Sequence, residues 1–385
     1  MKKQKICIIG TGLTGLITAL SLSKLNLNID LIGSDFKQNL SDNRTLAISE
    51  DNLNFFKEKI LIDSKKIKFW PCSKIELYKE SKKDQFTKLF ELKKNNRQML
   101  YMIKNSHLIK YVFEKIKKSN SIKLVNKRKV SEIRSSGLLK SIKFKNFYNK
   151  YNLIIMCTGH KSDLVKKTFN DQSMKYSYDE ISQTTILTHK ALKNNIARQI
   201  FFNNKILAFL PISNFQTSIV LSIKKKFFKK NTSVLKKELK FYSKKFLENI
   251  KFNQDISIYD LNFFLREKYY NDRILLFGES LHVIHPLAGQ GFNMTIRDLK
   301  SLRNTIENKI NLGLDIGSSD TLLEFSDKTK SKNFLYSMGI NLLRDYFYTE
   351  NKNLRKLGDK AINTIGTNKF AKNIIYNFAN RGLNF

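Results

Sequence analysis

The sequence predicts an α/β fold: a Rossmann-like dinucleotide-binding domain, interleaved with a mainly antiparallel-sheet domain and followed by a C-terminal helical tail. Three observations predict it. A short apolar run, Lys5–Ile9, leads straight into Gly10-Thr11-Gly12-Leu13-Thr14-Gly15 and then into a helix-patterned segment. Two more apolar runs, Leu153–Met156 and Arg273–Phe277, each end in a glycine-bearing turn. Between them lie segments whose apolar residues alternate instead of recurring at helical spacing.

Each element has its own warrant. Lys5–Ile9 is apolar without alternation, as a strand covered on both faces must be. Leu13 to Leu25 places Leu16, Ile17, Leu20 and Leu25 at helical spacing, and Asn28–Ile32 reads as a second strand. Together they form a βαβ unit of about 30 residues. Leu153–Met156 and Arg273–Phe277 read as returns to the same sheet. Lys74–Tyr78, Thr184–Thr188, Ile200–Phe202 and Ser218–Ile223 read as antiparallel strands. Asn231–Asn249 reads as an exposed, lysine-rich helix, and from Ser331 a helical stripe carries Leu335, Met338, Leu342, Leu343, Tyr346 and Phe347. The expected organisation is a discontinuous nucleotide-binding domain (1–70, 100–175 and 265–330), a sheet domain (71–99 and 176–264), and a helical region at 331–385.

Composition excludes several classes. The chain has 385 residues, 41% hydrophobic and 12% aromatic, enough to bury a large core and too apolar for wholesale disorder. Cys7, Cys72 and Cys157 form no CxxC pair and are odd in number, so neither a disulfide framework nor a zinc site is expected. The net charge of +37 brings nucleic acid to mind, yet the lysines are spread evenly and no basic helix, zinc finger or RNA-binding aromatic signature accompanies them. Nucleic acid is therefore not an expected partner. Two readings of the charge stay open: drift toward Lys, Asn and Ile, and attraction to anionic lipid. Ile6–Ser23 lacks charge and follows a basic start, but its glycines and the absence of an A-x-A site argue against a signal peptide. The expectation is a cytoplasmic protein, peripheral to the inner membrane at most.

The glycine run is the first chemical motif. Gly10 permits a tight turn, Gly12 lets the backbone approach a pyrophosphate, and Gly15 allows close helix–strand packing. Leu13 and Thr14 open a helix whose free N–H groups favour phosphate. An acidic residue should close the second strand to hold a ribose. Gly33 stands there, with Asp35 two residues on, which serves either the ribose or a solvated loop. The second motif runs Gly278-Glu279-Ser280-Leu281-His282-Val283-Ile284-His285-Pro286-Leu287-Ala288-Gly289-Gln290-Gly291-Phe292-Asn293, then Arg297-Asp298. It puts a carboxylate at a strand end and bare backbone at the head of a helix, whose positive end suits an anionic ring edge. His282 and His285 read as residues that hold the loop by hydrogen bonds or pack below the bound ring, and not as a metal set, and no Ser-His-Asp order or HExxH is present.

This second run resembles the GD(A/S)AHxx(H)Px(A)GQGxN signature of the group A flavoprotein monooxygenases, the p-hydroxybenzoate hydroxylase type. Its HPLAGQGFN form followed by Arg297-Asp298 is most similar to the ubiquinone-biosynthesis branch. Further segments look like that branch: Arg44-Thr45-Leu46-Ala47-Ile48-Ser49, Trp70 with Ile75–Leu77, Met102-Ile103-Lys104-Asn105, Tyr178 through Ile186, and Ala208-Phe209-Leu210-Pro211. The resemblance covers about residues 5–300 and fades in the tail.

What the resemblance implies is an FAD enzyme that uses NAD(P)H or another reductant and O2 to hydroxylate a polyprenylated phenol or other aromatic substrate through a C4a-hydroperoxyflavin. It assigns Gly10, Gly12, Leu13, Thr14, Gly15, Asp35, Arg44, Gly278 and Glu279 to FAD. Pro286, Gly289, Gln290, Gly291, Phe292 and Asn293 would line the flavin-facing wall. No residue is identified as a phenol-activating base. Three acidic positions of the family pattern are altered: Gly33, Thr158 in Cys157-Thr158-Gly159-His160-Lys161-Ser162, and the longer Glu279. A degenerate flavin-binding scaffold in a quinone-synthesis complex and a related FAD-dependent reductase therefore stand as alternatives. The tail carries nine Lys/Arg against three Asp/Glu from Ser331 to Phe385. That suits an interfacial helix pair, a docking surface for other quinone-biosynthesis proteins, or a lid on the core.

Overall fold

A computed structural model describes residues 3–33, 44–60, 62–82, 85–93, 97–126, 130, 132–144, 147–169, 172–252, 255–349 and 368–382. Its helices are α1 (Leu13–Leu22), α2 (Glu50–Lys59), α3 (Asn105–Lys117), α4 (Asp163–Thr168), α5 (Thr232–Ser243), α6 (Gln290–Asn311), α7 (Ser319–Tyr348) and α8 (Lys369–Arg381).

The expected parallel core is present. Gln4–Ile9 lies between Leu27–Gly33 and Leu153–Met156, and Ile274–Leu276 pairs in parallel with the latter. Ile6, Ile8, Leu31 and Ile155 are fully buried, because helix α1 and the three-stranded antiparallel sheet of Glu132–Ser136, Leu139–Phe144 and Phe147–Tyr151 both pack against this sheet. Helix α1 packs into the same core through Leu16 and Ile17, each such side chain contributing about 1.5–3 kcal/mol. It ends at Leu22, short of the expected Leu25. The chain turns there through Leu25 N–H to Leu22 O (2.9 Å), so that the next strand can start at Leu27.

The antiparallel sheet is built on one long strand, Ser173–Thr188, flanked by Ser257–Arg266 and Gln216–Lys224. Lys205–Ser213, Ile196–Phe201, Lys74–Lys82 and Gln85–Lys93 extend it, with one parallel pairing, Ile196–Phe201 on Lys74–Lys82. The long strand bulges between Ser177 and Glu180, where Asp179 takes φ 55°. One face of the sheet buries Leu187, Ile219 and Leu221 against Leu235 and Leu239. Those two leucines correct the expectation of an exposed helix at Asn231–Asn249. The helix is shorter, it is amphipathic, and its lysines line only the outer side. Asn231 caps it, accepting from Ser233 N (3.0 Å) and Val234 N (3.2 Å).

The two sheets are joined by the second motif. After Leu276 the chain leaves the parallel sheet, and His282–Val283 adds to the antiparallel sheet beside Leu265 and Phe264. The segment that follows therefore lies where the chain passes from one sheet to the other.

The tail differs from its sequence reading. Helix α7 runs unbroken through residue 331, where a boundary was expected. Its buried side carries Asn333, Tyr336, Ser337, Ile340, Asn341, Phe347 and Tyr348, whereas Leu335 and Leu342 are 58% and 71% exposed. Of the expected stripe, Leu335, Leu342 and Leu343 face outward, whereas Met338, Tyr346 and Phe347 pack against the core beside a set of buried polar pairs. Helix α8 returns to the core, burying Tyr376 beside Ala47, Cys72 and Met102. No helix among the described residues is long and apolar enough to cross a membrane.

Candidate functional site

Three glycine turns converge at the carboxyl ends of the parallel strands. A Cβ at Gly10 (φ 122°) would lie 2.4 Å from the Cys157 carbonyl oxygen, and one at Gly15 would lie 1.9 Å from the Gly10 carbonyl. A Cβ at Gly278 (φ 65°) would meet the Thr14 methyl at 2.5 Å, so Thr14 packs beneath the second motif. Backbone alone fits at these points. Gly12, by contrast, faces open space. Helix α1 begins there with no side-chain cap and no acidic residue in its first turn, while Leu13 anchors it in the core. The Thr158 hydroxyl, next to Cys157, is buried without a hydrogen-bond partner. An uncapped helix end, an open glycine and an orphan hydroxyl fit a pyrophosphate and the groups beside it.

Gly33 has a steric cause. A Cβ at this strand end would lie 2.5 Å from both Cγ2 and Oγ1 of Thr11. Thr11 thus occupies the space in which the expected acid would start. Asp35 lies outside the described residues. Arg44 is exposed, with its guanidinium 5.9 Å above the Tyr259 ring on the antiparallel sheet. Glu279 is exposed as well and faces His160. Burial of the His160 imidazole holds it below its ordinary pKa, with Glu279 opposing and Lys161 reinforcing.

The segment Pro286–Asn293 is fixed from below. Gly289 (φ 65°) caps α6, and a Cβ there would press on Ala47 at 2.9 Å. Asn293 Oδ1 accepts from Ser49 N (3.0 Å) and Asn52 Nδ2 (2.9 Å), while its Nδ2 donates to Ala47 O (2.8 Å) and Gly289 O (3.2 Å). All four hydrogen-bonding positions of that amide are spent inside the protein. Its side chain therefore pins the loop to the Thr45–Ser49 strand, and any contact with a bound group falls to its backbone. Gln290 accepts from the Tyr336 hydroxyl at 2.6 Å. Phe292 packs edge-on against Phe56 at 6.3 Å. Pro286 is half-buried, and a Cβ at Gly291 would meet Ile284 at an ordinary 3.7 Å. Helix α6 opens here with no acidic residue in its first turn, so its positive end faces this space.

Both histidines hold the loop, each with a carboxylate that the sequence did not reveal. His282 Nε2 meets Asp298 Oδ2 at 2.7 Å, and Asp298 also accepts from Asn333 Nδ2 at 3.1 Å. His285 Nδ1 accepts from Leu287 N (3.2 Å), so the ring donates from Nε2 to Glu180 Oε2 (3.2 Å). Glu180 is fully buried, and it also accepts from Arg344 Nε (2.7 Å) and the Tyr348 hydroxyl (2.8 Å). Burial alone would raise the Glu180 pKa. His285 and Arg344 outweigh it and hold the carboxyl below its ordinary range. No group of three metal-type side chains occurs among the described residues. Glu180, Arg344 and Tyr336 were missed, and Asp298, read as part of the second motif, was not recognised as the partner of His282. The one available signal was that Glu180 is the sole charged residue in the buried half of its strand.

The family described as "FAD binding domain" matches residues 154–311. "Ubiquinone biosynthesis monooxygenase COQ6, mitochondrial" of Dictyostelium discoideum is 23% identical over 94% of this chain and 88% of its own length. The protein of the same name in Xenopus tropicalis is 25% identical over 55% of this chain, and the chain spans only about half, 54%, of that relative. The crystal structure of p-nitrophenol 4-monooxygenase PnpA from Pseudomonas putida DLL-E4 superposes with a TM-score of 0.81. It is 13% identical and covers 99% of this chain and 98% of its own. Fold and site thus define an FAD-dependent oxidoreductase with the fold of the aromatic-ring monooxygenases. Within that class the chain is similar to the ubiquinone-biosynthesis hydroxylases, as its motifs implied.

Proposed function

We propose that this protein hydroxylates the ring of a polyprenylated phenol in ubiquinone biosynthesis, with O2 as oxidant and NAD(P)H or another reductant as electron donor. The observation that carries this reading is the position of Pro286–Asn293 between the two sheets, at the head of α6 and beside the glycine turns. Similarity to the Dictyostelium relative over 94% of the chain supports it. FAD, when bound, supplies the activation of O2 for transfer of one oxygen atom to the ring. Gly10, Gly12, Gly15 and the start of α1 would hold its phosphates, with Thr158 and Glu279 alongside. The bare backbone at Gly289–Gly291 would face the flavin ring, and the α6 N-terminus would stabilise negative charge developing there. The antiparallel sheet would close the opposite side and exclude water.

The test is aerobic incubation of the FAD-loaded protein with NAD(P)H and a short-chain polyprenyl phenol. Product one oxygen heavier, formed in step with NAD(P)H consumption, is expected. FAD held tightly without turnover under any donor would favour the scaffold reading, for which Thr158 and Gly33 in place of acids speak.

Peripheral contact with an anionic membrane forms part of this proposal. Leu335 and Leu342 stand exposed on α7 beside the exposed Lys328 and Lys332, a pattern suited to an interface. Anionic liposomes should recover the chain, and Leu335→Ser with Leu342→Ser should reduce that recovery severalfold. Equal recovery would instead leave this face to partner proteins of the same synthesis.

A further inference from the structure

We propose that Glu180 and Arg344 are positioning residues for the flavin-facing loop, and that through them helix α7 is coupled to FAD binding. The inference rests on the reading of Pro286–Asn293 as the flavin wall.

Four observations lead to it. The Glu180 carboxylate is fully buried, far from any role in the sheet's own pairing. It follows a bulge in which Asp179, a non-glycine residue, takes φ 55°. Bulges re-aim side chains, and a left-handed non-glycine residue costs free energy that only the surrounding structure can offset. The re-aimed carboxylate then meets His285, the residue immediately before Pro286. Finally, α7 holds the same carboxylate at both oxygens, Arg344 at Oε1 and Tyr348 at Oε2.

The path to the loop is short. Glu180 takes the Nε2 proton of His285, which leaves Nδ1 free to accept from Leu287 N–H (3.2 Å). The His285 backbone N–H donates to the Tyr178 hydroxyl (3.2 Å), and that hydroxyl donates to Asn341 Oδ1 (2.5 Å), again on α7. Arg344 also donates to the Tyr178 carbonyl (3.1 Å) and lies 4.7 Å above the Tyr178 ring. About two helical turns nearer the start of α7, Tyr336 reaches Gln290 at 2.6 Å. The turn from His285 to Gln290 is thus held at both ends by α7. Whatever fixes that turn must also favour docking of α7, and by linkage the reverse holds.

A loop that FAD orders should therefore tighten α7. In hydrogen exchange on the wild-type chain, adding FAD is expected to slow exchange across 284–291 and also across 337–348. Removing Arg344 alone would strand a buried charge and threaten folding. The decisive variant is Glu180→Gln with Arg344→Met, which removes both charges at nearly constant volume. It is expected to keep its cooperative unfolding, to bind FAD at least ~10-fold more weakly, and to lose the FAD-dependent slowing in α7. Arg344→Lys, which keeps the charge but not the two-point geometry, should fall between it and wild type, including in the position of the bound flavin's 450 nm band. Wild-type affinity, spectrum and coupling in the double variant would overturn the proposal. So would a wild-type chain in which FAD slows the loop but not α7. Failure of the underlying site reading looks different: FAD would bind while leaving exchange across 284–291 unchanged, and the claimed coupling would fall with it.

Discussion

Gly33 shows how one residue type can be dictated by a neighbour's methyl group. Thr11 fills the volume that a side chain at 33 would need, so Gly33→Asp should not restore a ribose ligand. It should destabilise the protein by about 1–3 kcal/mol through overpacking, and Thr11→Gly in the same chain should recover most of that loss in urea titration. Asn293 is the opposite case, an amide with no spare capacity. Asn293→Ala strands Ser49 N–H and Ala47 O in the interior, at about 1–3 kcal/mol per orphaned group. Thermal unfolding should report a clear loss of stability, together with faster release of FAD. Glu180 sets a pH dependence. Its carboxyl titrates below the ordinary 4.5 in the folded chain, so its contribution is complete above about 4.5. That contribution is lost as the pH falls through the lowered folded value. The groups facing it are His285, Arg344 and Tyr348, with Lys224 opposite in the sheet register. Acid unfolding of Glu180→Gln should accordingly be less steep below pH 4.5 than that of wild type.

Elements that depend on local sequence behave as their patterns suggest. Helix α5 has its cap in Asn231 and two buried leucines, and Asn231→Ala should cost about 1 kcal/mol of stability in urea unfolding. Helix α7 behaves otherwise. Its Leu335 and Leu342 project outward while Asn333, Asn341 and Ser337 are buried, so replacing those leucines with serine should leave the melting temperature nearly unchanged. Replacing Asn341 with leucine should lower it, because Tyr178 and Tyr176 both bond to that amide. Hydrophobic periodicity could not reveal this face, since the partners that hold it lie on other elements, the long strand Ser173–Thr188 and helix α6.

At the scale of the whole molecule, the second motif acts as the hinge pin between two sheets. It leaves the parallel sheet at Leu276 and joins the antiparallel one at His282, and α6 and α7 then brace the loop between them. FAD bound at this junction should stabilise both domains together. A single unfolding transition that rises with FAD concentration is expected, whereas two transitions with only one responding would place the site within one domain.

The sequence by itself determined the βαβ unit, the glycine turns and the loop motif, because each is a contiguous run whose backbone demands are local. Gly10, Gly15 and Gly289 could be read for that reason: no other residue tolerates their turns or close contacts. Only the tertiary structure decided what surrounds them. Glu180 lies 105 residues from His285 and 164 from Arg344, and its inward aim depends on a bulge that no periodicity announces. The displacement of the ribose acid by Thr11, the spent amide of Asn293 and the polar face of α7 have the same origin. Each is set by which atoms meet across the fold, and a buried polar group must find its partner wherever the packed chain supplies one.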